Sequence, residues 1–457
     1  MADRLSRFCG RYHLHFQLVT RSVMDPAGHY LCGLFQATKK NMERMEEAVP
    51  EADYEQVQHF LSESPWSSQA VMKQVARDAD RLLGGRPDSS FLIDESGFTK
   101  KGIHSVGVAR QYNGRAGKID NCQVGVFATL SSGTSVCPVD VRLYLPKEWT
   151  QDAARCRGAG VPTAQRRHRT KQVLALEMVQ AARQQGLRFH WVQGDGAYGH
   201  DMKFCQALAD QAERFVVGVH KTQRIYLEDP QPAVPAKAGP QGRRRTRLQT
   251  QVQPITVEQW RRQQPPEAWQ PLTLRETTKG SLEVEVLHQW VWVWDGKSPQ
   301  ARRWRLIVQR DAATQAEYKY AWSNAGAEVS WETVARQHGQ RYWIERAFED
   351  GKGQVGLGDY QVRGWLAWHH HMAMVMMAML FLVEERQSHQ TELPLLSCSD
   401  VVDLLCYALP KRKISREELL RQMRTRHAKR QASIEGARRR QQARRAERQQ
   451  RQTPSKP

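Results

Sequence analysis

Residues 170–220 read TKQVLALEMVQAARQQGLRFHWVQGDGAYGHDMKFCQALADQAERFVVGVH, and the alternation of patterns in this stretch decides the fold. From 170 to 186 the apolar residues recur at helical spacing, and Gly186 stands where a helix commonly closes on a left-handed residue. RFHWVQGD (188–195) is a short apolar run that stops at Asp195 between two glycines, the signature of a core strand. A second helix is expected from about His200 to Ala212 and a second strand at RFVVGVH (214–220). Helix, strand, helix, strand within one stretch points to an α/β architecture, with a sheet covered by helices on both faces.

Upstream the strands multiply. SSFLID (89–94) is a short apolar strand ending in Asp94. IHSVGVARQYNG (103–114) and DNCQVGVFATLSSGTSVCPVDVRLYL (120–145) run apolar or alternate, with turns at Asn113-Gly114 and Ser132-Gly133. Three strands, helix, strand, helix, strand is the succession of an RNase H-like core with a mixed sheet.

Before it, residues 37–83 show three short amphipathic helices, with Ser67 or Ser68 as a cap and Gly84-Gly85 as a stop. After it, QPAVPAKAGPQGRRRTR (231–247) reads as a loop, and period-two alternation returns in PLTLRETTKGSLEVEVLHQWVWVW, RWRLIVQRD and EYKYAWSNA. The resulting division is an N-terminal helical domain suited to DNA binding (1–85), a first part of the core (86–220), a β-rich insertion (221–325), a second part of the core (326–410) and a basic tail (411–457), helical or disordered.

The net charge of +20 is unevenly placed. Residues 411–457 hold 17 Lys+Arg against 4 Asp+Glu, or +13, which leaves +7 on the other 410 residues. A tail of this kind suits a polyanion, nucleic acid first, although membrane-surface and solubilising tails look similar. The eight cysteines show no C-x-x-C and no zinc-like pairing with histidine, as expected of buried thiols in a reducing cytoplasm. The first residues lack a secretory signal, and the longest apolar run, MAMVMMAMLFLV (372–383), is short for a bilayer span and reads as a buried helix.

The chemistry gathers on a second stretch, HGQRYWIERAFEDGKGQVGLGDYQVR (338–363). At about 100° per residue, Arg341, Glu345, Phe348 and Lys352 fall on one helical face, a carboxylate between two cations. Alone, such a face is usually a solvated helix with ordinary ion pairs. A lone aspartate at a strand end, like Asp94 or Asp195, is more often a turn former. Together, two strand-end aspartates and a helical glutamate flanked by cations fit a carboxylate triad. Such a triad holds two Mg²⁺ ions, which activate a water or a 3′-hydroxyl and stabilise the leaving oxygen at phosphorus.

LIDESGFTKKG (92–102), HSVGVARQYNGRAGKIDNCQVGVF (104–127), RLYLPKEW (142–149), RTKQVLALEM (169–178), QGDGAYG (193–199) and IERAFEDGKGQVGLGDYQVRGWLAWHHH (344–371) together resemble the DDE transposases of the insertion sequence 701 family, within the wider insertion sequence 4 group. NMERMEEAVPEADYEQVQHFLSESPW (41–66) is similar to that family's N-terminal region. The resemblance implies that Asp94, Asp195 and Glu345 are the metal-binding triad on an RNase H-like core, with a β insertion before the glutamate. The wider group's helix follows Y-(2)-R-(3)-E-(6)-K. Arg341, Glu345 and Lys352 match it, and His338 stands in the tyrosine's place, an imidazole for a phenol.

From this follow the expected activity and partners: a cytoplasmic, nucleoid-associated enzyme that uses two Mg²⁺, with Mn²⁺ substituting. It cuts at the inverted-repeat ends of its element, joins the 3′-hydroxyls to target DNA, and works as a homodimer at synapsis. A nuclease that cuts without joining and an inactive DNA-binding regulator are the alternatives. Arg341, Lys352 and His338 are the expected DNA-binding residues, and Lys100 and Lys101, within a turn of Asp94, either join them or form a solvated basic turn. Glu95 should point to the face opposite Asp94. Trp290, Trp292 and Trp294 share one strand face, where sheet packing competes with a base-stacking role such as related transposases use. His369, His370 and His371, on consecutive helical positions, cannot all face one metal and are expected on a helix surface or beside DNA.

Overall fold

The computed structural model describes residues 1–235, 246–277 and 280–452. Strands β1 (Ser90–Thr99), β2 (Ala109–Asn113), β3 (Lys118–Ser132) and β4 (Ser135–Leu143) pair antiparallel around the long β3. Strands β5 (Trp191–Gly194) and β6 (Phe215–Gly218) lie parallel beside β1. The helices between them, Lys171–Gln184 and Met202–Asp210, are capped by Thr170 and Asp201. The result is the mixed α/β core of the RNase H-like fold.

A two-residue ribbon, β7 (Arg224–Ile225) on β8 (Ile255–Thr256), precedes four further strands: β9 (Gln270–Thr277), β10 (Gly280–Val293), β11 (Arg302–Asp311) and β12 (Lys319–Ser323). These four do not form a sheet of their own. β12 pairs with β6, and the order runs β2-β3-β1-β5-β6-β12-β11-β10-β9 with β4 on β3. Alternation along β10 serves both faces of this extension. Leu287, Val291 and Val293 join the main core, while Val284 and Val286 pack with Ile307, Val334 and Ala335 under the helix Trp331–Gln340. The segment 231–247, expected as a loop, lies mostly outside the described residues; within its described part Ala233 bridges Gln249.

The helices of the N-terminal region surround one long helix, Trp365–Ser388, whose buried residues leave no polar stripe. That helix is long and apolar enough to cross a membrane by length and composition, and here it is the buried axis of the core. Asn41, Asp53 and Ser67 cap Met42–Ala48, Tyr54–Ser62 and Ser68–Leu83 by accepting backbone N–H bonds. Three helices lie ahead of these, Ala2–Gly10, His13–Phe16 and Met24–Gln36. Their pattern is interrupted in sequence by glycines, and by Pro26 in the first turn, where proline is tolerated.

Two of the three histidines on the long helix, His370 and His371, are a correction. The His370 ring stacks on Trp66 at 3.8 Å, with its nitrogens 2.9 Å from the carbonyl oxygens of Leu61 and Trp66. His371 faces the Tyr30 hydroxyl at 2.7 Å. Both are fully buried, tying the N-terminal helices to the long one, because a polar ring stays in a core when the core offers it partners.

The tail is a helix, Arg416–Gln452. Its first part docks through Arg426 to Glu47 at 3.0 Å and Lys429 to Glu43 at 3.0 Å.

Candidate active site

Asp94 is not at the end of β1. The strand runs on to Thr99 along β3, but the pairing with β5 stops at Leu92 and Gln193, so beyond that point β1 has an open side. Asp94 stands two residues into this opening. Asp195 follows the last residue of β5 and caps the short turn Gly196–Gly199, its Oδ1 accepting the N–H of Ala197 at 2.9 Å. The end of the β1–β5 pairing therefore leaves both aspartates at the same opening of the sheet, where open α/β sheets present their ligand sites.

Glycines permit that turn. A Cβ on Gly199 would lie 1.9 Å from the Gly218 carbonyl oxygen, and one on Gly218 would lie 3.0 Å from the Gly196 nitrogen. Any larger residue would push the Asp195 turn off β6.

The third carboxylate comes from the far end of the chain. The helical stretch expected from His338 through Lys352 is divided between two helices: Trp331–Gln340 and Tyr342–Gln354 meet at Arg341, which ends one and starts the other. Gln337, one turn earlier, is locked in the sheet, its Oε1 accepting from Ser90 Oγ at 2.9 Å and from Gln193 Nε2 at 3.2 Å. Ser90 and Gln193 lie on β1 and β5, just before the aspartates, so this buried amide sets where the junction falls above them. Ile344 and Ala347 then bury the inner face of the second helix, and the Phe348 ring meets that of Phe127 edge-on at 5.2 Å. The opposite side carries Glu345, about half exposed.

Arg341 links the parts. Its Nη1 donates to Asp94 Oδ2 at 3.1 Å and its Nη2 to Glu345 Oε1 at 2.6 Å. Asp94 Oδ1 accepts the N–H of Glu95 at 2.7 Å. Burial pushes the Asp94 carboxyl up to about 7, against the pull of Arg341 and with the push of Asp195. Three hard oxygen donors on three elements suit a divalent cation of the Mg²⁺ type. They are not drawn into a closed cage: among the described residues no three Asp, Glu, His or Cys side chains come close enough to form one. The guanidinium sits between two of the three.

The neighbouring residues take different duties. Glu95 points away from Asp94 and is held by Lys171 at 2.5 Å and by the Tyr198 hydroxyl at 3.4 Å. Burial and the surrounding carboxylates, Glu95 first, raise the Tyr198 phenol well above its ordinary value, which keeps it a donor. The sequence carried a sign of this cluster in the tyrosine of QGDGAYG, unread because its partner lies a hundred residues away.

Lys352 lies on the Glu345 helix with its ammonium 5.7 and 5.8 Å from the Phe98 and Phe348 rings. Lys101 is exposed. Lys100 is folded inward, its ammonium 3.5 Å from the Tyr360 ring centre and 3.2 Å from that residue's carbonyl oxygen, and burial lowers it to about 8. His338 faces β11, where its Nδ1 meets Gln309 at 3.0 Å, and burial pushes it down to about 3. These two are therefore placed in the packing rather than among the carboxylates.

The tryptophans are remote. Trp290 and Trp292 pair with Arg305 and Arg303 on β10 and β11, four strand spacings, or about 19 Å, from β5. They line a cleft of about 430 Å³, and the Arg305 guanidinium lies 4.7 Å from the Trp290 ring. Trp294 lies past the strand end, its indole N–H donating to Ser298 O at 2.7 Å.

Residues 15–281, more than half of the chain, match the family described as DDE superfamily endonuclease. A protein of Microchaete diplosiphon described as a probable transposase for insertion sequence element IS701 is 23% identical over 308 residues, which cover 66% of this chain and 67% of the relative.

Proposed function

The chain belongs to the DDE superfamily endonucleases, and from that premise we propose that it is a DNA transposase. It binds the inverted-repeat ends of an insertion sequence, hydrolyses the phosphodiester bonds there, and joins the freed 3′-hydroxyls to target DNA. The observation that supports this reading is the Arg341 guanidinium bonded to both Asp94 and Glu345, with Asp195 directly after the neighbouring strand β5. The relative described as a probable transposase supports the same reading.

In this proposal Asp94 and Asp195 hold a pair of Mg²⁺ ions, which Mn²⁺ can replace, and Glu345 completes the donor set. When bound, the ions supply an activated water or 3′-hydroxyl and stabilise charge on the leaving oxygen. The chain's own residues do the rest. Three carboxylates offset the ions' charge, so the phosphodiester is bound without being trapped. Gln337 holds the junction that carries Arg341 and Glu345 at a set height over the strand ends, which fixes where the scissile phosphate must lie. Arg341, Lys352 and Lys101 take backbone phosphates of the DNA, while Lys100 and His338 keep their places in the core.

Residues 1–85 and the tail from 411 flank the catalytic parts as DNA-holding segments, and 221–325 widens the sheet. The protein works as a homodimer when two ends are brought together, in the cytoplasm at the nucleoid.

A strand-transfer assay with pre-cleaved inverted-repeat ends, run with Mg²⁺, tests the proposal. The wild type should join ends to target DNA, and Glu345→Gln should lower joining at least about 100-fold while still retaining the ends in a gel-shift assay. Cutting without joining would favour a nuclease, and binding alone an inactive regulator. Wild-type rates in Glu345→Gln would remove Glu345 from the site.

A further inference from the structure

The Arg341 guanidinium occupies the position between two proposed metal ligands. Its two terminal nitrogens bond one oxygen of Asp94 and one of Glu345, at 3.1 and 2.6 Å. The other Asp94 oxygen is engaged by a backbone N–H. An ion of the Mg²⁺ type bonds oxygen at about 2.1 Å and demands near-octahedral geometry. It cannot use the same lone pairs while a planar cation several ångströms wide keeps the two carboxylates apart. Two positive groups competing for the same oxygens also repel each other, most strongly where water is scarce, and Asp94 is largely buried.

We propose that Arg341 is a resident counter-ion of the metal-free site, which a divalent cation must displace from Asp94 and Glu345, so that its guanidinium is released toward the DNA strand only once the ion has arrived. This rests on the reading of Asp94, Asp195 and Glu345 as metal ligands and adds an order of events to it. Before the ion arrives, the guanidinium offsets the charge of two carboxylates that would otherwise repel DNA phosphates and each other. Afterwards the same side chain, carried on a helix junction locked by Gln337, is left without its acidic partners and faces the solvent side of the site. The protein so made holds its DNA-gripping arginine back until the catalytic ions are in place. Arg341 is thus a positioning residue as well as a phosphate contact.

The fold offers a nearby control. Arg346, on the same helix, is paired within its own helix to Glu349 at 3.3 Å and Asp350 at 3.1 Å, away from Asp94. A change confined to Arg341 therefore separates displacement from a general loosening of the helix.

Two measurements on the full-length protein without DNA test the proposal. In the first, the wild type is treated with an arginine-selective dicarbonyl reagent, with and without millimolar Mg²⁺, and modification is read by peptide mass spectrometry. Mg²⁺ should raise modification of Arg341 several-fold, leave Arg346 unchanged, and have no effect on Arg341 in Asp195→Asn. An Arg341 that Mg²⁺ protects or leaves unchanged overturns the proposal, as does an equal rise in Asp195→Asn.

In the second, Mn²⁺ affinity is measured by electron paramagnetic resonance of the free ion at mildly alkaline pH. Removal of the competing charge in Arg341→Gln should tighten Mn²⁺ binding about 10-fold, with the conservative Arg341→Lys in between. Equal or weaker binding by Arg341→Gln, with the wild type binding normally, overturns the counter-ion role and leaves the metal site standing. If neither wild type nor variant binds Mn²⁺, the ligand assignment itself falls, and this inference falls with it. Should Arg341→Gln not fold, Arg341→Lys and the wild-type modification experiment decide.

Discussion

Replacing Asp94 by asparagine should make the metal-free protein more stable at neutral and alkaline pH, relative to wild type, than at acid pH. Burial pushes the Asp94 carboxyl from its ordinary 3.8 up to about 7. Between those two values the folded chain binds a proton that the unfolded chain has lost. Stability therefore falls as pH rises through this window, and the full cost is present above about pH 7. A carboxyl raised from 3.8 to about 7 costs, at about 1.36 kcal/mol per tenfold change in proton affinity, at most about 4 kcal/mol. Roughly two thirds of it falls between about pH 5 and pH 8. Relaxation around a side chain that is 18% exposed trims the figure further, to roughly 2 kcal/mol. Asparagine keeps the shape and has no such titration. Urea unfolding of both proteins in a chelator, at about pH 5 and pH 8, should thus show the variant gaining roughly 2 kcal/mol on the wild type as pH rises. The comparison is a difference of differences, so whatever asparagine costs through the lost bond to Arg341 cancels to first order. A change below about 0.5 kcal/mol, or one of opposite sign, would refute the argument that the fold holds a carboxylate there at its own expense.

Two further outcomes are expected. Truncation after Arg430 removes eight Lys+Arg and two Glu beyond the docked part of the tail, and should reduce the slope of log affinity against log salt for DNA by up to about 7; an unchanged slope in a filter-binding titration would end the tail's role in DNA binding. His370→Ala removes a ring stacked on Trp66 at 3.8 Å and takes from one of the two facing carbonyl oxygens, Leu61 or Trp66, the N–H that a neutral imidazole donates, and should cost about 3 kcal/mol in urea unfolding, where a cost below about 1 kcal/mol would show that the ring is dispensable.

What could be read from the chain was what depends on local order. Alternation and helical period located the core strands and the crossing helices, and narrowed a helix cap to Ser67 or Ser68, of which Ser67 serves, because each follows from residues within a few positions of one another. Asp94 and Asp195 stood out since an acid at the close of an apolar run is visible without knowing its neighbours. Pairing was not visible in the same way. The alternation of β9 to β12 announced strands but not that β12 would dock on β6 and lengthen the core sheet, a choice made by Phe215, Trp304 and Trp322 packing across it. Lys100 was read as a phosphate contact from its charge and its place after Asp94, and His338 from the motif in which it stands for a tyrosine. Each proved to have a buried partner, Tyr360 and Gln309, hidden in a remote segment.

The Arg341 contact shows the same limit in the feature on which function turns. On a helical wheel Arg341 and Glu345 are an ordinary pair four residues apart, worth a few tenths of a kcal/mol when exposed. The bond to Asp94 spans 247 residues and changes what that pair means. It depends on the helix breaking at Arg341 rather than running through it, and on Gln337 being pinned between Ser90 and Gln193 one turn before. A site assembled this way has its aspartates placed by the sheet and its glutamate placed by a hinge. Loss of Gln337 would therefore disturb the third carboxylate and its arginine while leaving the first two where they are.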